Sequence, residues 1–357
     1  VTNTYTIRFY RVYDTGDKID LEMLDEALAA DHTTTRARFS RVNPKSITMD
    51  VPPLAIQLPP VRVDAGGTEL QMAAVARLYD IGAVSICYIL EGGTPDFDTL
   101  QAAALHFAGQ RGLDSLYFAS LETVRGILLP HLGELTVDVE FFEDYTIYWT
   151  DRLDETLDPV VILLGEEMEY SLQTRDDTLK NSLSYGTGDL TILSWDTSLL
   201  VSGEIPEDII DLIEFANVQA LELRYYDRVL TLQTERMYED IESLGRRTQM
   251  GQLGQYRLVM ARLMETYAEL SEIIEKVDNL IKITEDIYYA RVYATALNVL
   301  RISQWRSSVD RRIEVIRQNY MMLSDEVNVR HSNFLEIVII LLIAIELAFF
   351  IWQEFGL

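Results

Sequence analysis

The sequence predicts an α+β protein: an N-terminal mixed α/β domain (1–203), a long antiparallel helical hairpin or coiled coil (204–332), and one C-terminal transmembrane helix (333–353). Three observations carry this. The run FLEIVIILLIAIELAFFIW (334–352) holds only two charged residues, Glu336 and Glu346. All nine prolines lie at or before Pro206, and proline is costly inside helices. Beyond Pro206, apolar residues recur three and four apart over several heptads, the spacing of coiled-coil packing.

In the first domain, TYTIRFYRVY (4–13) reads as a strand and Asp20–Ala30 as a short helix. Residues 52–60 carry four prolines and read as an extended loop or edge segment. The stretch 69–90 gives two strands around the turn Asp80-Ile81-Gly82. Thr94-Pro95-Asp96 signals a helix start, with a helix through Phe107. A further helix is expected over Leu121–Leu132. LTVDVEFFEDYTIYW (135–149) alternates and is aromatic, hence strand. VVILLG (160–165) reads as a short buried strand, 166–184 as a helix, and 190–203 as one or two strands. Strands and helices interleave irregularly, which favours α+β over a doubly wound sheet.

The second region opens at Pro206-Glu207-Asp208, a proline followed by acids that suit the positive end of a helix. A near-heptad register runs from Ile209 to Leu244. Gly245, Gly251 and Gly254 mark a reversal, and a second helix is expected from Met260 to Tyr288, antiparallel to the first. A third run uses Val309, Ile313, Ile316, Tyr320, Leu323 and Val327 and continues into the apolar tail, with Arg301–Ser308 as the expected break before it. Asp227 and Thr234 occupy core-like positions in the first helix. Polar residues there fix register or oligomer state, or are ordinary imperfections of a hairpin. Tyr225-Tyr226 and Tyr288-Tyr289 read as packing rather than as ligand stacking.

The tail reaches roughly 28 Å, about one hydrocarbon core. Phe334, Glu336, Ile340, Ile343, Glu346, Phe350 and Trp352 are the expected anchor residues. A buried core helix seldom carries this density of Ile, Leu and Phe on all sides, and an interfacial helix needs a polar face. Arg311, Arg312, Arg317 and Arg330 precede the segment and no Lys or Arg follows it. The positive-inside bias then keeps residues 1–332 in the cytoplasm or a mitochondrial matrix, with the protein single-pass in an inner or plasma membrane. Ionised Glu346 would cost at least ~2.5–3.5 kcal/mol in lipid. It is expected to be protonated, to meet water at the far interface, or to pair with a second copy. Glu346, Val309, Ile316, Tyr320 and Leu323 are the candidate oligomer contacts.

A formal charge of −27 excludes a general nucleic-acid surface, since phosphate binding needs clustered Lys and Arg. There are 25 Arg and 5 Lys, which fits a salt-rich cytosol or a biased genome composition. Cys87 is the only cysteine, so no intramolecular disulfide forms. Its apolar surroundings in SICYIL make it a small buried hydrophobe. VTNTYTIRFY is neither a signal nor a transit peptide.

No G-x-x-x-x-G-K-[ST], G-x-S-x-G or H-E-x-x-H motif is present. His32, His106, His131 and His331 are scattered, none at metal-ligand spacing from another. The stretch 138–177 holds thirteen acids against Arg152 and Arg175. Asp138, Glu140, Glu143 and Asp144 are the candidates for a hard cation, with Asp138 and Glu140 sharing one strand face, but the spacing and glycine of a Ca²⁺ loop are missing. Solvated surface is the simpler reading, and no catalytic, cofactor or metal residue is assigned.

RRIEVIRQNYMMLSDEVNVRHSNFLEIVIILLIAIELAFF (311–350) and, more weakly, ANVQALELRYYDRVL (216–230) resemble the family named "required for meiotic nuclear division", including the pairs Leu335-Glu336 and Ile345-Glu346. An acidic, proline-containing aromatic stretch that family members carry before the last helix is replaced here by YATALNVLRISQWRSSV (293–309). The resemblance implies an α/β head, long helices, one C-terminal span and oligomerisation. It also implies a non-catalytic tether, which in mitochondria supports translation, with the ribosome as a partner. The expected function is therefore an oligomeric membrane scaffold with lipid and protein partners. Two alternatives stand beside it. One is a subunit of a CorA-like cation channel, although those have two spans and a Gly-Met-Asn loop. The other is a metal-dependent enzyme using the acidic stretch 138–177.

Overall fold

Ten consecutive residues, Tyr5–Asp14 (β1), are all buried, which requires a strand covered on both faces. The computed structural model describes residues 4–16, 19–28, 34–36, 47–49, 51–65, 67–92, 99–132, 136–153, 157–245, 281–283 and 287–355, with a few positions between 258 and 268. Its remaining strands are Thr34–Arg36 (β2), Ile47–Met49 (β3), Leu54–Ala65 (β4), Thr68–Tyr79 (β5), Ala83–Glu91 (β6), Phe142–Thr150 (β7), Ser182–Leu183 (β8), Leu190–Leu193 (β9), Thr197–Val201 (β10) and Ile281–Ile283 (β11). Among the described residues, nine form one sheet in the order β2-β4-β5-β6-β1-β7-β10-β9-β8, and β11 pairs with β3. Neighbours are antiparallel except β7 and β10.

The helices are Leu21–Leu28 (α1), Leu100–His106 (α2), Asp114–Leu132 (α3), Pro159–Leu164 (α4), Leu172–Leu179 (α5), Glu207–Gly245 (α6), Ile287–Val299 (α7) and Ile302–Phe355 (α8). Alternation along β1 divides the core. Tyr5, Ile7, Phe9 and Tyr13 join Leu24 of α1, Ala103 of α2, Leu121 of α3 and Ile162 of α4. Tyr10 and Val12 join Ile213 and Val218 of α6 and Val292 and Ala296 of α7. Helices therefore cover both faces, and the α+β class expected from the sequence holds. Contacts divide the chain into two compact units, Val1–Tyr225 with Glu275–Arg306, and Tyr226–Ile274 with Ser307–Leu357. The expected boundary at 203/204 lies three residues before α6 begins at Glu207. The first unit nevertheless extends to Tyr225 and includes α7.

Several elements differ from expectation, each for a local reason. VVILLG is helix α4, not a strand. Asp158 accepts from the Val160 N–H, Pro159 stands in the first turn, and Gly165 closes the helix at φ 67°, a start and stop that override the β-branched run. The proline-rich 52–60 lies largely in β4, one strand in from the edge, and a register shift between Leu58 and Val61 takes up Pro59-Pro60. β7 begins only at Phe142, because 138–141 is a turn: the Glu140 N–H donates to Asp138 Oδ1 and the Phe141 N–H to the Asp138 carbonyl. Asp138 and Glu140 therefore share no strand face. Of the residues expected as helix at 166–184, only Leu172–Leu179 forms one, capped by Ser171. The helix at 121–132 starts earlier, at Asp114. The start signal at 94–96 lies outside the described residues, and α2 opens at Leu100 with Thr99 as its cap. β11 interrupts the expected helix from Met260 to Tyr288, and most of that run and the glycine reversal beyond Gly245 lie outside the described residues.

The first half of α6 is held on the sheet by charge. Arg77 of β5 donates to Asp211 Oδ1 at 2.6 Å and to Glu214 Oε2 at 2.5 Å. Glu214 is fully buried; burial pushes its carboxyl up and Arg77 pulls it down. Arg8 of β1 makes a two-pronged pair with Glu207 at 2.8 and 2.5 Å. Arg224 of α6 pairs with Glu143 of β7.

Removing one partner of a buried pair leaves the other charge uncompensated. Arg77→Met is expected to cost about 3–5 kcal/mol in urea unfolding, and Arg77→Met with Glu214→Leu should recover a large part of it. Gly165→Ala should cost about 1–3 kcal/mol, since a Cβ there meets Ala108 Cβ at 2.7 Å. A denaturation midpoint equal to that of the parent chain would refute that packing.

Candidate functional site

Among the described residues the longest element is α8, which runs from Ile302 to Phe355 without interruption, about 81 Å at 1.5 Å per residue. Its start is set by Arg301, whose φ of 56° ends α7 and whose guanidinium lies 5.5 Å from the Trp195 ring centre. The break thus falls at the first residue of the expected window, 301–308.

Every residue from Leu335 to Phe350 on α8 is exposed. Ile340 is 59% and Phe350 63% accessible, and Trp352 beyond them is 62% accessible. Ile343, Glu336 and Glu346 share this exposure, while the side chain of Phe334 lies outside the described residues. A contiguous apolar surface of this kind is unusual for a monomer in water. The described side chains 335–350 span about 24 Å, and among the described residues no helix is long and apolar enough to cross a membrane.

The arginines placed before this segment are used unequally. Arg312 Nε donates to Asp227 Oδ1 at 2.8 Å, and Ser308 Oγ donates to the same oxygen at 2.7 Å. Arg317 makes two 2.7 Å bonds to Glu314; with Gln318 it holds the Glu314 carboxyl down to about 2. Arg311 is exposed, and the side chain of Arg330 lies outside the described residues. Among the expected oligomer contacts, Val309 and Ile316 are already covered within the chain, at 0% and 1% exposure. That burial leaves them no surface for a second copy. Tyr320 is half-buried, and the Leu323 side chain lies outside the described residues. In the same unit Leu230 and Met237 are buried too, so each helix buries a pair seven residues apart. Thr234 satisfies itself by donating to the Leu230 carbonyl; Asp227 is the polar residue that binds across helices.

Part of the acidic stretch serves as counter-charge: Glu143, Asp144 and Asp158 each take an arginine. Asp144 takes two 2.7 Å bonds from Arg11. That guanidinium also reaches Asp114 at 2.9 Å and lies between the rings of Tyr117 and Phe142, at 4.5 and 3.9 Å. Asp158 takes Arg175 at 2.8 and 3.0 Å. Among the described residues no three His, Cys, Asp or Glu converge as a metal site. Cys87 is buried and its thiol pushed up to about 12 by that burial. His106 and His131 are exposed; His32 lies outside the described residues, as does the His331 side chain.

Sequence reasoning missed a cavity of about 250 Å³ in the first unit, lined by Tyr185, Asp189, Thr191, Ser202, Tyr288 and Tyr289 among others. The doublet Tyr288-Tyr289 was its only visible signal, and alone it reads as packing.

The molecule thus belongs to a class with a mixed sheet covered by helices on both faces, followed in sequence by long helices with an exposed apolar stretch. Residues 4–206, more than half the chain, match the family model described as "Uncharacterized protein MJ0711, N-terminal domain", and the chain belongs to that family. It is similar to "Uncharacterized protein MJ0711" of Methanocaldococcus jannaschii, 26% identical over 235 residues, which cover 61% of this chain and 69% of that protein. No solved structure matches. These comparisons do not confirm the likeness to the meiotic nuclear division family, which rests on 311–350.

Asp227→Ala should cost about 1–3 kcal/mol, by removing a charged acceptor shared by two donors. Asp227→Asn, which can still accept from Ser308, should cost less. Equal losses for the two variants, read from chemical unfolding, would show that the shared acceptor is unimportant.

Proposed function

We propose that this protein is a non-catalytic, oligomeric scaffold, with a C-terminal membrane anchor and an α+β head on the cytoplasmic or matrix side. The observation that carries this reading is the exposed apolar stretch on α8. Sixteen consecutive exposed residues, fourteen of them apolar, are unfavourable in water and are stabilised in a hydrocarbon layer. The sequence continues the stretch through Phe334, Ile351 and Trp352, enough for about one hydrocarbon core. The seven-residue spacing of Leu230 with Met237 and of Val309 with Ile316 supports coiled-coil packing between α6 and α8. The likeness of 311–350 to the meiotic nuclear division family supports the same assignment and suggests a tether for protein partners, the ribosome among them. Self-association is left to the exposed face around Glu346.

The full chain should sediment with lipid vesicles and remain in the pellet after a carbonate wash, whereas a variant ending at Asn333 should stay in the supernatant. A truncated chain that pellets as well would remove the anchor. Glu346→Leu should leave vesicle binding intact and change particle size in mild detergent, measured by light scattering; an unchanged size would remove Glu346 from the contact.

A further inference from the structure

The cavity of the first unit has a composition that selects its occupant. Tyr185, Tyr288 and Tyr289 contribute three aromatic rings and Asp189 a carboxylate; among the described lining residues there is no Lys, Arg or His. The Tyr185 and Tyr288 ring centres are 5.4 Å apart and those of Tyr288 and Tyr289 6.2 Å, each pair inclined at 53°. Tyr288 is fixed in place, because its hydroxyl lies 3.1 Å from Thr191 Oγ1. Tyr185 is 76% exposed.

We propose that this cavity binds a small organic cation carrying a methylated, quaternary ammonium head and no acidic group of its own. Aromatic faces are negative, and three of them beside a carboxylate favour a positive guest. The inclined rings form a corner that suits a rounded group, whereas a planar base stacks between parallel walls. A metal ion needs several oxygen ligands, and the described lining residues offer one carboxylate. A primary ammonium is strongly hydrated and demands several acceptors. A methylated ammonium is weakly hydrated and loses little on entering an aromatic corner. At about 250 Å³ the space lies just below the usual range for drug-sized ligands, which favours a small guest such as choline. This inference is independent of the membrane proposal, since none of these residues lies on α8.

The test uses the full chain in detergent, with choline as the probe and titration calorimetry as the readout. The control is choline's uncharged tert-butyl analogue, in which carbon replaces nitrogen. Choline should bind about tenfold or more tightly than the analogue. Tyr185→Leu, at an exposed position that leaves the fold intact, should weaken choline about three- to tenfold. Asp189→Asn should weaken it by a similar factor and flatten its dependence on salt. Equal binding of the analogue, no choline binding, or choline binding indifferent to both substitutions would overturn the proposal. Phosphatidylcholine vesicles bound in a manner weakened by Tyr185→Leu, with free choline unbound, would overturn the assignment to a free solute.

Discussion

The structure depends on how α6 is seated on the sheet. Glu207, Asp211 and Glu214 stand four and three residues apart, hence on one helical face, and they meet arginines from β1 and β5. A fully buried carboxylate such as Glu214 tolerates no position in which its counter-charge is missing. The apolar neighbours Ile210, Ile213 and Val218 would accept a helix rotated or slid by a turn; Arg77 would not. The charges therefore select one register from several that the hydrophobic contacts permit. The second core cluster, including α7, is built around that choice.

Much of this was legible in the sequence. The strand at 4–13, the hairpin around Gly82, the long helix after Pro206 and the helix entering the apolar tail all follow from periodicity and punctuation, which are local signals. What failed was also local, but two signals competed. At 160–165 the β-branched run argued for a strand, while Asp158-Pro159 and Gly165 argued for a helix, and the caps won because they satisfy backbone groups that a strand this short would leave open. At 52–60 four prolines argued against a sheet, and a bulge resolved the conflict.

The sites were less legible than the fold. Glu207 reads as an acid placed at the positive end of a helix; its partner Arg8 is 199 residues away, beyond the reach of any periodicity. The acids of 138–177 read equally as surface or as ligands, and the arginines that occupy Asp144, Glu143 and Asp158 come from three separate elements. Tyr185 and the pair Tyr288-Tyr289 are likewise brought together only by the fold. The apolar tail needed no partner to be seen, because its signal is one of length and composition.

The central strand also sets a problem for synthesis. Its neighbour β6 pairs Leu90 with Ile7 of β1, 83 residues apart, so this apolar strand emerges long before it can be covered. At ordinary translation speeds the wait is roughly 4–17 s, ample time for a ten-residue aromatic strand to find the wrong partner. Arg8 and Arg11 interrupt it with charge, and charges within such a segment resist stacking. The two arginines that later bind Glu207 and Asp144 on opposite faces of the sheet thus also place charge within the strand while it is still uncovered.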